Sequence, residues 1–457
     1  MKRVLAFLVT NALWLSAFIP APINGQAALT PGKRGPTSQT AASVQSGLSK
    51  AAPHVTGTAA MHLLDTPRTL PTTVDSAIAN NEFRNKLFNP GSGSPYNLLS
   101  PSNNGVGEIH INDGFGNILR LKEHTGWRDT WKLIVPGTFG AFEPPQPGSE
   151  PVPDGWTDLL FYDNSNGGGE FYVTNNSGDI SQRGVTLSWG LGWDLIVPGN
   201  FAPFVDPPAG TAPVPDGWTD LVFYDNSGNF GILDIYATNG RGGLSNRKSR
   251  FIMSHGFDII VPGNFGPFVT PPAGTAPVPD VWTDLFFFDK DTGAVEIWAT
   301  DGNGNIKNLK TYSWGTGYKQ IIPGNFGPFV TPPAGTAPIP DVWTDLVLYR
   351  NDGEGIFLAF DGNGNFNQFN SLSWGPGYDL IVPGSFGDYV SGVPDAWTDL
   401  VFYDRNGPDR IMVTDGKGNI RRLGNDHDWG PGHDMIIPIP GNLGGSAWTD
   451  LLFYRNN

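Results

Sequence analysis

The chain of 457 residues contains 61 glycines and 41 prolines, and its formal net charge is −15 at pH 7. So much glycine and proline argues against long helices and favours many short strands joined by turns. The negative charge would repel a phosphate backbone, so we expect no nucleic-acid partner. With no cysteine, the chain can form neither a disulfide nor a thiolate metal site.

The first 27 residues have the pattern of a signal peptide. Lys2 and Arg3 give a positively charged start, and a mostly apolar stretch, 4–18, leads to small residues before the predicted cleavage point. This stretch is short and is interrupted by Thr10 and Asn11, which argues against a membrane anchor. We therefore predict a secreted protein with no stable membrane insertion.

The rest of the chain divides into a linker and a repeat region. Residues 28–93 are rich in Ser, Thr, Ala, Pro and Gly and lack a sustained period, so we predict a flexible linker. Within residues 94–457 the triplet Trp-Thr-Asp occurs six times, at Trp156, Trp218, Trp282, Trp343, Trp397 and Trp448. Each triplet follows an apolar Pro-Gly element, and an apolar run ending in a Gly-rich turn occurs once per unit. Six copies of one unit indicate a repeat architecture.

Each unit supplies four short strand candidates. The Pro-Gly run and the run after Trp-Thr-Asp are continuously apolar, as expected for strands covered on both faces by neighbouring blades. The N-terminal side offers only a third and a fourth strand, in 107–123, and the C-terminus only a first and a second, in 435–454. We predict an all-β, six-bladed β-propeller in which both chain ends complete one blade, with seven blades as the alternative.

The repeat unit resembles the FG-GAP/VCBS repeat. The matching residues include Trp374-Gly, Asp379-Leu-Ile-Val-Pro-Gly-Ser-Phe386 and Asp395-Ala-Trp-Thr-Asp-Leu400. This family includes integrin α-subunit propellers, integrin-like lectins and many secreted bacterial proteins. The resemblance implies a propeller fold, and it is specific for fold rather than for function.

The resemblance also implies calcium between the first and second strands, where the family often has D-x-D-x-D-G-x-x-D. The last loop keeps this spacing but has one carboxylate, Asp450, and the other five keep only the second half of the pattern. The candidate ligands are Asp154, Asp158, Asp216, Asp220, Asp280, Asp284, Asp341, Asp345, Asp395 and Asp399. Since these loops are stretched, calcium competes with the alternative that each aspartate caps a turn through its own backbone. No other cofactor is predicted.

The stretched loops are themselves a repeated feature. Pro207–Asp216 recurs almost unchanged at 271–280 and 332–341, and 144–154 is a looser version. Proline and alanine favour an extended, polyproline-like conformation on one face of the ring. These loops are interpreted either as stiff lids over the blade junctions or as the rims of repeated ligand pockets.

The sequence gives little support for catalysis. Propeller enzymes place a few dissimilar residues around one site, whereas this chain repeats similar residues around the ring. It has no histidine pattern for zinc and no G-x-S-x-G motif, and no carboxylate pair stands out as acid and base. We therefore expect no enzyme, and a glycoside hydrolase is the least favoured interpretation.

Repeated aromatic residues suggest binding instead. Aromatic faces flanked by carboxylates or amides bind sugars, and the candidate residues are Trp193, Phe257, Tyr318, Tyr378, Trp156, Trp218, Trp282, Trp343 and Trp397. The Trp-Thr-Asp indoles have a second interpretation, as the large side chains that fill the gap between blades. We predict a secreted, non-catalytic, lectin-like protein for multivalent recognition of glycans or cell surfaces. Adhesion to a protein or a display scaffold is the alternative, and the lack of disulfides favours a bacterial source.

Overall fold

The computed structural model describes residues 104–456 except 227–229, 334, 391–394 and 441–446, together with two short segments, 7–10 and 77–79. These residues form 26 strands and no helix. The two short segments are β1 (Phe7–Thr10) and β2 (Ala77–Ala79). Apart from them, the predicted signal peptide, 1–27, and linker, 28–93, lie outside the described residues and stay predictions.

Five blades are continuous in sequence, each a four-stranded antiparallel meander. Blade 1 consists of β5 (Leu133–Gly137), β6 (Asp158–Asp163), β7 (Gly168–Thr174) and β8 (Ile180–Ser188). Blade 2 consists of β9 (Leu195–Gly199), β10 (Asp220–Asp225), β11 (Ile232–Thr238) and β12 (Leu244–Ile252). Blade 3 consists of β13 (Ile259–Gly263), β14 (Asp284–Phe288), β15 (Ala294–Thr300) and β16 (Ile306–Ser313). Blade 4 consists of β17 (Tyr318–Gly324), β18 (Asp345–Arg350), β19 (Glu354–Phe360) and β20 (Phe366–Ser373). Blade 5 consists of β21 (Leu380–Gly384), β22 (Asp399–Tyr403), β23 (Asp409–Thr414) and β24 (Ile420–His427).

The sixth blade joins the two ends of the chain. It consists of β25 (Met435–Ile439), β26 (Asp450–Arg455), β3 (Gly105–Asn112) and β4 (Ile118–Trp127). The C-terminal β26 pairs antiparallel with the N-terminal β3, so that Leu452 lies opposite Ile109. The six-bladed ring closed by both ends is thus confirmed, and the seven-bladed alternative is wrong.

Burial follows the position of each strand in its blade. The first and second strands, such as β9 and β14, are buried along their length, because blades cover them on both faces. The fourth strands, such as β16, alternate between half-buried and exposed residues at the outer edge of the ring. At the centre, β1 pairs with β13 and β2 pairs with β25.

The threonine of each Trp-Thr-Asp triplet links its blade to the blade before it. The Thr219 hydroxyl accepts the N–H of Thr138 at 2.8 Å, and the Thr219 N–H donates to the Thr138 carbonyl at 3.0 Å. The same pair of bonds recurs for the threonines at 283, 344, 398 and 449. Thr157 closes the ring with a hydrogen bond to the Pro440 carbonyl. The threonine of the motif therefore joins neighbouring blades through hydrogen bonds.

The tryptophan of the triplet packs against the glycine of a Gly-rich turn. In five units an added Cβ on that glycine would lie 1.9–2.3 Å from the indole, which is far inside van der Waals contact; for Gly302 the distance to Trp282 is 2.1 Å. Gly302 also has a φ of +73°, which other residues rarely adopt. These turns therefore require glycine for two separate reasons, one steric and one conformational.

These two reasons can be separated by mutation. We expect Gly315→Ala, at a φ of +81° with no atom within 4 Å of the added Cβ, to cost about 1–2 kcal/mol through backbone strain alone. We expect Gly302→Ala to cost a further ~1–3 kcal/mol, because its methyl group must displace the Trp282 ring. Denaturant unfolding of both variants measures the difference, and equal losses would show that the indole contact is unimportant.

Candidate functional site

The predicted calcium ligands are engaged by the protein backbone. In blade 1, Asp158 accepts the N–H groups of Phe139 and Gly140 at 2.8 Å and that of Thr174 at 3.0 Å. Asp154 accepts the N–H groups of Phe142 and Trp156 in the same loop. The same bonds recur for the pairs Asp216 and Asp220, Asp280 and Asp284, Asp341 and Asp345, and Asp395 and Asp399.

The first aspartate of each pair accepts the N–H two residues later, as in a turn cap, whereas the second accepts N–H groups 12–19 residues away. Burial raises the pKa of the second aspartate in every pair well above its usual range, because the carboxylate loses its water. Among the described residues no cluster of three or more His, Asp or Glu side chains could hold a metal ion. Calcium binding stays an untested prediction.

The structure divides the predicted aromatic ligands between two faces of the ring. Because each blade is a meander, its first-to-second and third-to-fourth connections lie on one face, and its second-to-third connection and the linker to the next blade lie on the other. The triplet tryptophans lie on the first face, and Trp218, Trp282, Trp343 and Trp397 are no more than 9% exposed; Trp156, where Asn176 replaces the turn glycine, is half-buried. Trp193, Phe257, Tyr318 and Tyr378 lie on the opposite face, where the interblade linkers run. The two sets therefore cannot form one site.

The second aromatic set lines the junctions between blades. Trp193 packs edge-on against Phe223 of its own blade, with ring centroids 5.4 Å apart, and Tyr378 packs in the same way on Phe402 at 4.7 Å. The equivalent residue in blade 1 is Trp131, which packs against Phe161 at 5.3 Å and was missed by the sequence analysis.

The third strands carry a second feature that the sequence analysis missed. Four of them place a buried carboxylate two residues before a ring that can hydrogen-bond to it. These pairs are Glu108 with His110, Glu170 with Tyr172, Asp234 with Tyr236, and Glu296 with Trp298. An acidic residue inside an otherwise apolar strand was the available signal, since buried carboxylates need a partner.

One of these pairs opens into a cavity at the junction of blades 6 and 1. The cavity has a volume of about 270 Å³, and its lining includes Trp127, Arg128, Trp131, Glu170, Tyr172 and Gln182. The Arg128 guanidinium donates to Glu170 at 2.6 Å and lies 4.9 Å from the centre of the Trp131 ring. The Tyr172 hydroxyl donates to the other Glu170 oxygen at 2.7 Å. A cation, a carboxylate and a phenol thus meet between two indoles.

Arg128 occupies a position where the repeat otherwise has a small residue. Three linkers have Gly190, Gly375 and Gly430 here, and each glycine carbonyl accepts a hydrogen bond from the tyrosine that ends the second strand. The Arg128 carbonyl accepts the same bond from Tyr454 at 2.7 Å. At this junction the linker brings a guanidinium to the third-strand carboxylate of the next blade.

The electrostatics of the cavity favour a neutral phenol beside an ion pair. Burial and the neighbouring Glu170 carboxylate raise the pKa of the Tyr172 hydroxyl far above its usual range, so it stays protonated at physiological pH. Glu170 is almost fully buried and Arg128 is about one-third exposed. The site therefore offers fixed hydrogen-bond donors and one acceptor in a partly desolvated environment.

Two known structures align weakly with this chain. No family model matches the chain. It aligns with a protein from Lactobacillus plantarum at 12% identity and a TM-score of 0.32, covering 62% of this chain and 74% of that one. It also aligns with the periplasmic gluconolactonase of Pseudomonas aeruginosa at 12% identity and a TM-score of 0.35, covering 72% of this chain and 98% of that one.

The prediction of a non-catalytic, lectin-like protein that is not an enzyme is wrong. It rested on the view that similar blades repeated around a ring leave no place for a catalytic site. The alignment with a gluconolactonase overturns that view. At this level of similarity the alignment assigns no reaction to the present chain.

Among the residues that the structure describes, no helix is both long and apolar enough to cross a membrane.

The calcium question has a direct test. We expect about 5 mM calcium, which exceeds the dissociation constants of weak extracellular sites, to leave the melting temperature unchanged within about 1 °C. The reason is that backbone N–H groups already occupy the paired aspartates. Thermal unfolding with calcium and with chelator measures the shift, and a rise of many degrees would restore the calcium interpretation.

Stability should also depend on pH through buried carboxylates. Burial raises the pKa of Asp258 to about 6. Because the folded protein favours the protonated Asp258 side chain, this group's contribution to the free energy of unfolding is fully present below the ordinary aspartate pKa. The contribution is lost as the pH rises through about 6. The wild type should therefore gain stability relative to Asp258→Asn when the pH falls from about 7 to about 5. Histidines with lowered pKa values oppose this trend in both proteins, so the difference in melting temperature isolates Asp258.

Proposed function

We propose that this chain is an exported hydrolase whose active site is the cavity between blades 6 and 1. The substrate would be a small polyhydroxylated compound with an ester or lactone bond. The observation that carries the proposal is the break in the repeat at Arg128. A residue needed only for blade packing would be expected to recur as the packing residues do, whereas Arg128 occurs once and meets Glu170 and Tyr172 inside a cavity.

The composition of the cavity favours this substrate class. The indoles of Trp127 and Trp131 provide apolar faces for a compact ring, and Gln182 adds an amide for its hydroxyl groups. Glycoside hydrolysis usually requires two carboxylates flanking the bond. Glu170 is the only carboxylate among the described lining residues. Hydrolysis at a carbonyl requires one base and donors for the developing oxyanion, and this set supplies them.

In the proposed reaction Glu170 accepts a proton from water as the water oxygen bonds to the substrate carbonyl carbon. When substrate binds, the Tyr172 hydroxyl turns its single proton from Glu170 to the carbonyl oxygen, and Arg128 donates to the same oxygen as it becomes negative. Arg128 has five N–H donors, so it can hold Glu170 and the substrate together. The bond from the carbonyl carbon to the ester oxygen then breaks. Glu170 returns the proton to that oxygen, which releases an alcohol and a carboxylic acid.

Export and the repeat family are part of the same proposal. Export is supported by the positive and apolar start of the sequence, with Lys2 and Arg3 before the stretch 4–18. Membership of the FG-GAP/VCBS repeat family is supported by the recurring Pro-Gly and Trp-Thr-Asp elements. A bacterial source is supported by the lack of cysteine.

The proposal is tested by assaying the purified protein against aldonolactones and nitrophenyl esters. We expect hydrolysis by the wild type and a loss of about 100-fold or more in kcat/KM for Glu170→Gln, because the general base is removed. Tyr172→Phe removes one oxyanion donor and should lower kcat by about 10²-fold. Melting temperatures of all variants show whether folding is retained.

Glu296→Gln is the matched control. Glu296 is also a buried third-strand carboxylate, and it accepts hydrogen bonds from Trp298 and Ser254 at 2.8 Å. It does not line the cavity. Its activity should equal that of the wild type. Equal losses in Glu170→Gln and Glu296→Gln, or an inactive wild type, would reject the proposed function.

A further inference from the structure

The face of the ring opposite the interblade linkers carries an unusual set of exposed aliphatic side chains. Nine residues of the loops between first and second strands are 45–87% exposed. They are Val152, Val205, Val214, Val269, Val278, Val281, Val330, Ile339 and Val390, and we call them the apolar crown. Five other large apolar residues of the described chain are comparably exposed. Blades 2, 3 and 4 each present two or three crown residues at corresponding loop positions, so this exposure is systematic.

The loops that carry the crown are held in place before any partner binds. Asp216 at the end of the blade 2 loop accepts the N–H of Phe204 at its start, at 2.7 Å. The Arg247 side chain from the outer strand bonds the Phe204 carbonyl, and Lys307 bonds the Phe268 carbonyl in blade 3 at 2.8 Å. Such loops lose little conformational freedom on association, which lowers the entropic cost of binding.

The crown loops offer few outward hydrogen-bonding groups. In blade 2 the Thr211 hydroxyl donates to the Pro208 carbonyl at 2.6 Å, so it is used within the loop. Thr275 and Thr336 make the same bond in blades 3 and 4. Prolines contribute no N–H at all. The occupant of this surface must therefore be recognised by apolar contact and shape, which suits an aliphatic protein surface and does not suit a sugar.

The charges of the crown loops limit which molecule could bind the apolar crown. The chain carries a net charge of −15, yet the blade 3 and blade 4 loops hold a single acidic residue each, Asp280 and Asp341, and both accept N–H groups within their own loops. Of the exposed acids in the neighbouring loops, Glu150 and Asp206 pair with Arg241 and Arg247, and Glu143 lies in the blade 1 loop. Two copies could therefore meet through the loops of blades 2, 3 and 4 without juxtaposing unpaired carboxylates.

We propose that the apolar crown is a homodimer interface, in which two rings associate face to face through these loops. A surface that is aliphatic in the loops of five blades is complementary to itself, as a two-fold interface requires. The free energy of fully burying a valine side chain, at about 25 cal/mol per Å², corresponds to an apolar area of roughly 60–120 Å² per side chain. The nine partly exposed residues therefore expose on the order of 500 Å². The exposed Pro208, Ala209 and Ala212, with their counterparts in blade 3 and with Pro333 and Ala337 in blade 4, add to this area. The total approaches the ~800 Å² per partner of a stable complex.

Analytical ultracentrifugation of the purified protein tests this proposal. We expect a monomer–dimer equilibrium with a dissociation constant of roughly 1–100 μM. The double variant Val269→Asp and Val330→Asp should raise that constant by about 100-fold or more, because two carboxylates would be buried per copy. Raising the salt concentration should not weaken the wild-type dimer, since apolar contact is insensitive to screening and the repulsion between acidic copies is reduced.

Ile252→Asp is the matched control. Ile252 is 64% exposed at the end of β12 and lies outside the crown. The control should dimerise like the wild type, and all proteins should have similar melting temperatures. A wild type that stays monomeric at about 100 μM, or a crown variant that still dimerises, would overturn the proposal. A monomer that instead sediments with phosphatidylcholine vesicles, or a dimer lost equally in Ile252→Asp, would overturn it as well.

Discussion

The aspartate of Trp-Thr-Asp is the constraint on which the rest of this ring depends. Its carboxylate accepts three backbone N–H groups, two from the loop that leaves the first strand and one from the end of the third strand. Leaving those N–H groups unpaired in the interior would be costly. The hydrogen bonds of the adjacent threonine and the packing of the tryptophan on a turn glycine depend on the position that the aspartate fixes. In each of blades 1 to 5, one carboxylate thus joins three strands and orients the contact with the preceding blade.

Because the motif is used so fully for structure, repeated residues are weak indicators of function in this protein. The triplet aspartates match the calcium pattern of the resembling family in part, and the triplet tryptophans resemble sugar platforms. Their oxygen atoms and ring faces are nevertheless engaged by backbone and glycine within the blade. A residue that departs from the repeat, such as Arg128, is a better indicator of function.

The closing blade explains why the repeat fails there. Its outer strands come from the N-terminal part of the chain, and the linker that follows β4 leads into the first complete unit. This linker reads Trp127-Arg-Asp-Thr-Trp131, whereas most others read Trp-Gly-x-Gly followed by an aromatic residue. Without the positive-φ glycines, the backbone follows a different path. The guanidinium reaches Glu170 of the next blade, and the cavity forms between the two indoles.

The sequence by itself determined the number of blades, the four strands of each blade and the closure by both chain ends. These features appear within each unit as apolar runs, Gly-rich turns and the Trp-Thr-Asp triplet. Because the unit recurs, each copy supports the interpretation of the others. Only the tertiary structure decided which candidate residues share a face and which side chains are already engaged. Arg128 and Glu170 are separated by a complete pair of strands, and their contact exists because blade 1 stacks on a blade assembled from both termini. A contact between blades depends on how the ring closes and on the path of one linker, neither of which a local pattern encodes.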